Sequence, residues 1–263
     1  MPQAALLAVS FGTTHLEALH KSISATENSL SNAFPTYDLK RAFTSTRVIR
    51  KLKEDQGMQV DTVQQALEKL DAEGYQTVLV QPLHIIDGIE YEKLLEDIAP
   101  YYGKFARLMI GRPLLGDRED CQEVAEILSR ELTQCGAGEA LVLMGHGSTH
   151  PANRIYLELD SIFKEMGHTN VFVATVEGSP DIQTIIPVLK TGGIQKGVLI
   201  PFMLVAGEHA NHDMAGDHPS SWKSVLEAEG ITVEVRLQGL GEFENIRQVY
   251  VRHALETLER GVE

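Results

Sequence analysis

The chain has 263 residues, 43% hydrophobic and 23% charged, with a net charge of −14. That is a globular profile, long enough for one large domain or two ordinary ones. Its acidity argues against a general nucleic-acid or anionic-membrane partner, and no apolar run approaches the length of a membrane helix.

The opening MPQAALLAVSFG has no basic stretch and too short an apolar run for a signal peptide. The two cysteines, Cys121 and Cys135, form no CxxC pair and no disulfide framework, so a reducing, cytoplasmic setting is expected. In chain order the predicted strands are AALLAVSF, YDLKRAF, TVLVQPLHII, FARLMIG, ALVLMG, VFVATV, KGVLIPFMLV and TVEVRL. Between and after them lie stretches such as HLEALHKSISATENSLSNAF, DTVQQALEKLDAEG, DREDCQEVAEILSRELTQCG and NIRQVYVRHALETLERGV. Their apolar residues recur at three and four, the helical spacing. Alternation of this kind predicts an α/β protein with mainly parallel sheets.

The sequence also repeats itself. ALLAVSFGTTH at residues 5–15 aligns with ALVLMGHGSTH at 140–150, Gly12 on Gly147 and His15 on His150. The position before the aligned glycine differs: Phe11 in the first copy, His146 in the second. A second pair follows in the same order, QPLHIIDGIE at 81–90 and IPFMLVAGEH at 200–209, placing Glu90 on His209. The reading is two similar doubly wound halves, 1–136 and 137–263, facing a central cleft. The first half carries about 16 extra residues near EDQGMQVDTVQ.

Ligands of open parallel sheets bind beyond the carboxyl ends of the strands. The cleft is therefore expected to be lined by Ser10, Phe11, His84, Glu90, His146, Met203 and His209, with Glu177 at the end of VFVATVE. Two imidazoles and a carboxylate suit a divalent first-row metal such as Co, Ni, Zn or Fe. Three protein ligands leave coordination positions open, as a working site requires, and imidazole can also accept protons. Gly145 and Gly147 remove side chains beside His146, which would let a bulky ligand approach its ring. His212 and His218 form a histidine-rich loop in GEHANHDMAGDHP. No G-x-S-x-G elbow surrounds Ser10, and neither GxGxxG nor a P-loop is present.

At these residues the chain resembles the anaerobic sirohydrochlorin cobaltochelatases of cobalamin biosynthesis. The likeness rests on LLAVSFGTTH, RAFTS, IRKLK, QPLHIIDGIEYEKL, LMGHGSTH, MLVAGEHANHDM, SWK and GLGE, and runs over most of the length. It implies a two-domain chelatase fold related to ferrochelatases, with His146 and His209 holding the metal, Glu177 as a third ligand and Glu90 nearby on the opposite half. It implies Co²⁺ as substrate metal, sirohydrochlorin as the tetrapyrrole and no organic cofactor. His146 and Glu90 are then the catalytic residues, and Ser10, Phe11, His84 and Met203 the substrate contacts. A ferrochelatase or nickel chelatase on the same substrate, and a non-catalytic metal or tetrapyrrole carrier, are the alternatives. A homo-oligomer stays open.

Overall fold

A computed structural model describes residues 3–132 and 136–260; Cys135 lies outside them. The first sheet is built from five parallel strands. They are β1 (Ala4–Ser10), β2 (Asp38–Phe43), β3 (Asp61–Thr62), β4 (Thr77–Pro82) and β5 (Arg107–Ile110), in the order β3-β2-β1-β4-β5. The second has four: β6 (Glu139–Gly147), β7 (Val171–Glu177), β8 (Lys196–Phe202) and β9 (Thr232–Val235), in the order β7-β6-β8-β9. All neighbours run parallel.

The helices connect these strands. In the first sheet α1 (Leu16–Ala18) passes through π-helical Leu19–Ser24 into α2 (Ala25–Ala33), and α3 (Thr46–Gln56), α4 (Val63–Ala72) and α5 (Ile89–Ile98) follow. Around the second stand α6 (Arg118–Leu132), α7 (Arg154–Glu165), α8 (Ile182–Thr191) and α9 (Trp222–Ala228). The last helix is α10 (Glu244–Arg260). Among the described residues, no helix is long and apolar enough to cross a membrane.

The central strands read as continuous apolar runs because helices cover both faces of a parallel sheet. Ala5 to Val9 and Ala140 to Met144 are at most 1% exposed. Leu7, Val9, Val78 and Val80 share one core cluster, and Val142, Met144, Leu199 and Trp222 another.

The internal repeat is visible in the topology. β1 lies between β2 and β4 as β6 lies between β7 and β8. The aligned glycines Gly12 and Gly147 take left-handed φ angles of 89° and 79°. The extra segment of the first half also has a structure. Between β2 and β4 stand α3, β3 and α4, where the second sheet passes from β7 to β8 through α8. β3 falls at the start of the stretch predicted as purely helical. Three of the predicted strands end two or more residues early, at Pro82, Phe202 and Val235; the first two stop near where their neighbours β1 and β6 also end.

The helix after β3 opens with a reciprocal cap. Thr62 Oγ1 accepts from the Gln65 N–H at 3.2 Å, and Gln65 Oε1 accepts from the Thr62 N–H at 3.0 Å. Thr62→Ala removes half of it and should lower stability by about 1 kcal/mol, read as an earlier urea midpoint with an unchanged slope.

Each expected half holds one sheet, but the compact units are drawn otherwise. One is Met1–Leu114 with Gly241–Glu263; the other is Leu115–Leu240. α10 belongs with the first sheet because the Tyr250 hydroxyl donates to the Leu83 carbonyl at 3.2 Å and Arg247 Nε donates to Ser29 Oγ at 3.2 Å. α6 belongs with the second, where Arg118 reaches Glu158 at 3.3 Å and Glu165 at 2.6 Å on α7. Cys121 on α6 is fully buried. Burial, then the surrounding carboxylates, push its thiol up to about 12, so it is an inert core residue.

Candidate metal centre at the strand ends of the second sheet

β6 delivers His146. Residues 140 to 145 are buried, and His146 is the first exposed position of the strand. The glycines that flank it are needed for packing. A Cβ at Gly145 would lie 2.5 Å from the ring of Tyr156, a fully buried residue of α7. A Cβ at Gly147 would lie 1.7 Å from the carbonyl oxygen of Glu177. Sequence alone assigns both glycines to ligand approach; in the structure Tyr156 closes against one and β7 against the other.

That closeness is a register. Gly147 pairs with Glu177, so His146 and Glu177 leave from adjacent strand ends. The turn after β7 is pinned from below. The Thr175 N–H and hydroxyl both donate to the Pro180 carbonyl, at 2.7 and 3.1 Å, which leaves Glu177 exposed above them. Asn153 ties the two strand ends together. Its Oδ1 accepts from the Ser148 N–H at 2.9 Å, and its Nδ2 donates to the Ser179 carbonyl at 2.7 Å.

β8 leads to His209, half-buried just before π-helical Ala210–Met214. Single π turns recur at functional positions in helices. The His146 and His209 rings meet edge to face, centroids 4.6 Å apart at 89°. Each ring is fixed through Nδ1. That of His146 lies 2.8 Å from the Gly147 carbonyl oxygen, which can only accept, so Nδ1 carries the proton. That of His209 lies 2.6 Å from Asp213 Oδ2. Burial pushes the Asp213 carboxyl up, but hydrogen bonds from His212 and His209 outweigh it and hold the group below its usual value. Asp213 is thus an ionised acceptor, and His209 Nδ1 donates to it. Both imidazoles are left with Nε2 as the lone-pair nitrogen, oriented by a carbonyl and a carboxylate as metal-binding histidines usually are.

His146, His209 and Glu177 do not close into a tight cluster. Among the described residues, three ligand atoms within 4.8 Å of one another occur in His212, Asp213 and His218. Met203, half-buried, packs against the core of the second sheet.

The other expected site residues belong to the first unit. Ser10 is 2% exposed and its Oγ meets no hydrogen-bond partner among the described residues. Phe11 beside it is 50% exposed. His84 is buried, its two ring nitrogens also without partners among the described residues, and burial pushes its imidazole down to about 4, so it is neutral at ordinary pH. Glu90 sits in the first turn of α5, where its carboxylate accepts from the Thr44 hydroxyl at 2.9 Å.

Sequence reasoning missed Asp213 and Asn153. The signal for Asp213 was present, since it follows His209 by one helical turn, the spacing at which side chains pair. Asn153 carried none, because its partners Ser148 and Ser179 become neighbours only when β6 pairs with β7. Asp213→Asn should weaken Co²⁺ binding about tenfold to a hundredfold, measured by titration calorimetry, because the Nδ1 proton of His209 loses its anionic partner.

Comparison with known proteins decides the family. The model for the cobalt chelatase (CbiK) family matches residues 4–259. The chain belongs to the cobalt chelatase family. A relative from Salmonella typhimurium, named sirohydrochlorin cobaltochelatase, is 41% identical over 259 residues, covering 98% of both chains. Another from Nitratidesulfovibrio vulgaris, sirohydrochlorin cobaltochelatase CbiKC, is 34% identical over 96% of this chain and 90% of its own. Among solved structures, SirB from Bacillus subtilis with Fe³⁺ superposes with a TM-score of 0.66 at 18% identity, over 98% of this chain and 96% of SirB. CbiX, described as the terminal enzyme for biosynthesis of sirohaem in denitrifying bacteria, does so at 0.52 and 15%, over 96% and 98%. Those two likenesses support the α/β chelatase fold of this family member.

Proposed function

We propose that this chain inserts Co²⁺ into sirohydrochlorin with release of two pyrrole protons, the step that commits the tetrapyrrole to cobalamin. Family membership over nearly the whole length supports the reaction class. The observation that carries the site is the His146–His209 pair, two oriented imidazoles at 4.6 Å on the carboxyl edge of the second sheet.

Insertion needs two things from the protein. The hydrated ion must exchange water for softer ligands, and each pyrrole N–H must lose a proton as its nitrogen takes up the metal. In the proposed mechanism His146 Nε2 and His209 Nε2 take the ion from one side, with Glu177 as an oxygen ligand. First-row divalent ions accept this set readily. As the ring nitrogens displace the imidazoles, His146 Nε2 becomes free and accepts a pyrrole proton. Its fixed Nδ1–H bond to Gly147 then stays intact in the imidazolium. Glu90 is the proposed acceptor of the second proton, its carboxylate steadied by the Thr44 hydroxyl. Phe11, half-exposed at the repeat position of His146, is the proposed apolar contact for the macrocycle; Ser10, His84 and Met203 are proposed to shape the substrate's surroundings.

The test is anaerobic absorbance of sirohydrochlorin with the purified protein and Co²⁺, against a no-protein control, repeated with Fe²⁺ and Ni²⁺. Catalytic conversion above the control, fastest with Co²⁺, is the expected result. A spectral change that stops at one equivalent of protein identifies a carrier and overturns the proposal. A higher rate with Fe²⁺ or Ni²⁺ keeps the chelatase and overturns the metal.

A further inference from the structure

His212 and His218 are not used by the reaction above, yet with Asp213, which orients His209, they bring three ligand atoms within 4.8 Å of one another. His212 Nδ1 is 2.9 Å from Asp213 Oδ1. The His212 and His218 rings stack, centroids 4.3 Å apart at 27°. His218 is held in place from two sides, by the His212 carbonyl at 2.9 Å from Nε2 and by Ser220 Oγ at 2.9 Å from Nδ1. Gly216 makes room for it: a Cβ there would lie 2.3 Å from the His212 carbonyl oxygen and 3.0 Å from His218 Cδ2.

We infer that His212, Asp213 and His218 form a second divalent-cation site, joined to the first through Asp213. A 2.9 Å N···O separation matches two adjacent ligands each about 2.1 Å from one ion, so a cation can replace the proton shared by His212 and Asp213. His218 supplies the third ligand, its ring nitrogen already within 4.8 Å of the other two ligand atoms. Two imidazoles and one carboxylate favour a first-row ion over magnesium or calcium. His212 is the most exposed of the three, its side chain 61% accessible, so the site opens to solvent. Asp213 spans both places: Oδ2 holds His209 and Oδ1 holds His212. An ion captured on His212 and His218 therefore sits one carboxylate away from His209, the position of a loading station. That role rests on the proposed chelatase reading; the existence of the site does not.

The experiment is equilibrium dialysis of the intact protein against Co²⁺ and, separately, Zn²⁺, with bound metal counted per chain. Wild type is compared with a His212→Gln/His218→Gln double variant and with a His146→Ala/His209→Ala double variant. Glutamine at 212 can still donate to Asp213, and both residues are at the surface, so folding is retained and is checked by circular dichroism. Two classes of bound ion in wild type, with one class lost in the glutamine variant, is the expected result. Wild-type binding in the glutamine variant overturns the inference, and so does a single class in wild type that vanishes in the alanine variant. If the glutamine variant loses a class while the alanine variant binds like wild type, the second site stands and the His146–His209 assignment falls.

Discussion

His146→Ala should reduce cobalt insertion by about 10²–10⁴-fold while leaving the fold intact. The magnitude is that of removing a positioned proton acceptor, and loss of a metal ligand acts in the same direction. The fold should survive because His146 is exposed at the end of β6, and its ring touches His209 rather than the core. Circular dichroism and the thermal midpoint should match wild type, while the anaerobic absorbance assay loses its catalytic phase. A variant retaining more than a tenth of the wild-type rate would show that another group takes the proton. His209→Ala separates the two contributions: it removes a ligand without removing the proposed base, so its loss should shrink as Co²⁺ is raised.

The second large effect is on stability. Gly147→Ala asks an L-residue to adopt a φ of 79° and places a Cβ 1.7 Å from the Glu177 carbonyl oxygen. The backbone conformation alone costs about 1–2 kcal/mol. The clash is with main chain, so no rotamer change relieves it, and the pairing of β6 with β7 has to open. A total of about 4 kcal/mol or more is expected, a drop in melting midpoint of about 10 °C. Metal binding should weaken as well, because the strand ends that move carry His146 and Glu177. A variant within about 1 kcal/mol of wild type would refute the strand-end argument. Gly145→Ala is the informative companion: its Cβ meets the Tyr156 ring, and side chains yield where backbone does not.

Much of this was legible in the sequence, for identifiable reasons. Buried parallel strands are apolar on both faces, so AALLAVSF and ALVLMG announce themselves by composition without needing a period. The repeat did more. Aligning Phe11 with His146 and Glu90 with His209 singled out two histidines from ten, and the structure brings those two rings into contact. Three features were not legible. β3 is two residues long, too short to interrupt the helical pattern of VQQALEKL. The reason for Gly145 and Gly147 depends on Tyr156 and on the partner strand, neither adjacent in sequence. The attachment of α10 to the first sheet depends on Tyr250 reaching the carbonyl of Leu83, a partner no local pattern can name.

That attachment fixes an order of events. The second unit is one continuous stretch, Leu115–Leu240, whereas the first needs residues from both sides of it. As the ribosome makes the chain, the first sheet emerges before the second but must wait for α10, including Tyr250, the full partner it is packed with. The second unit has every strand and helix it needs about twenty residues earlier. The histidine-bearing unit needs only its own continuous stretch of chain, whereas the unit that carries Phe11 and Glu90 closes only when α10 returns to it.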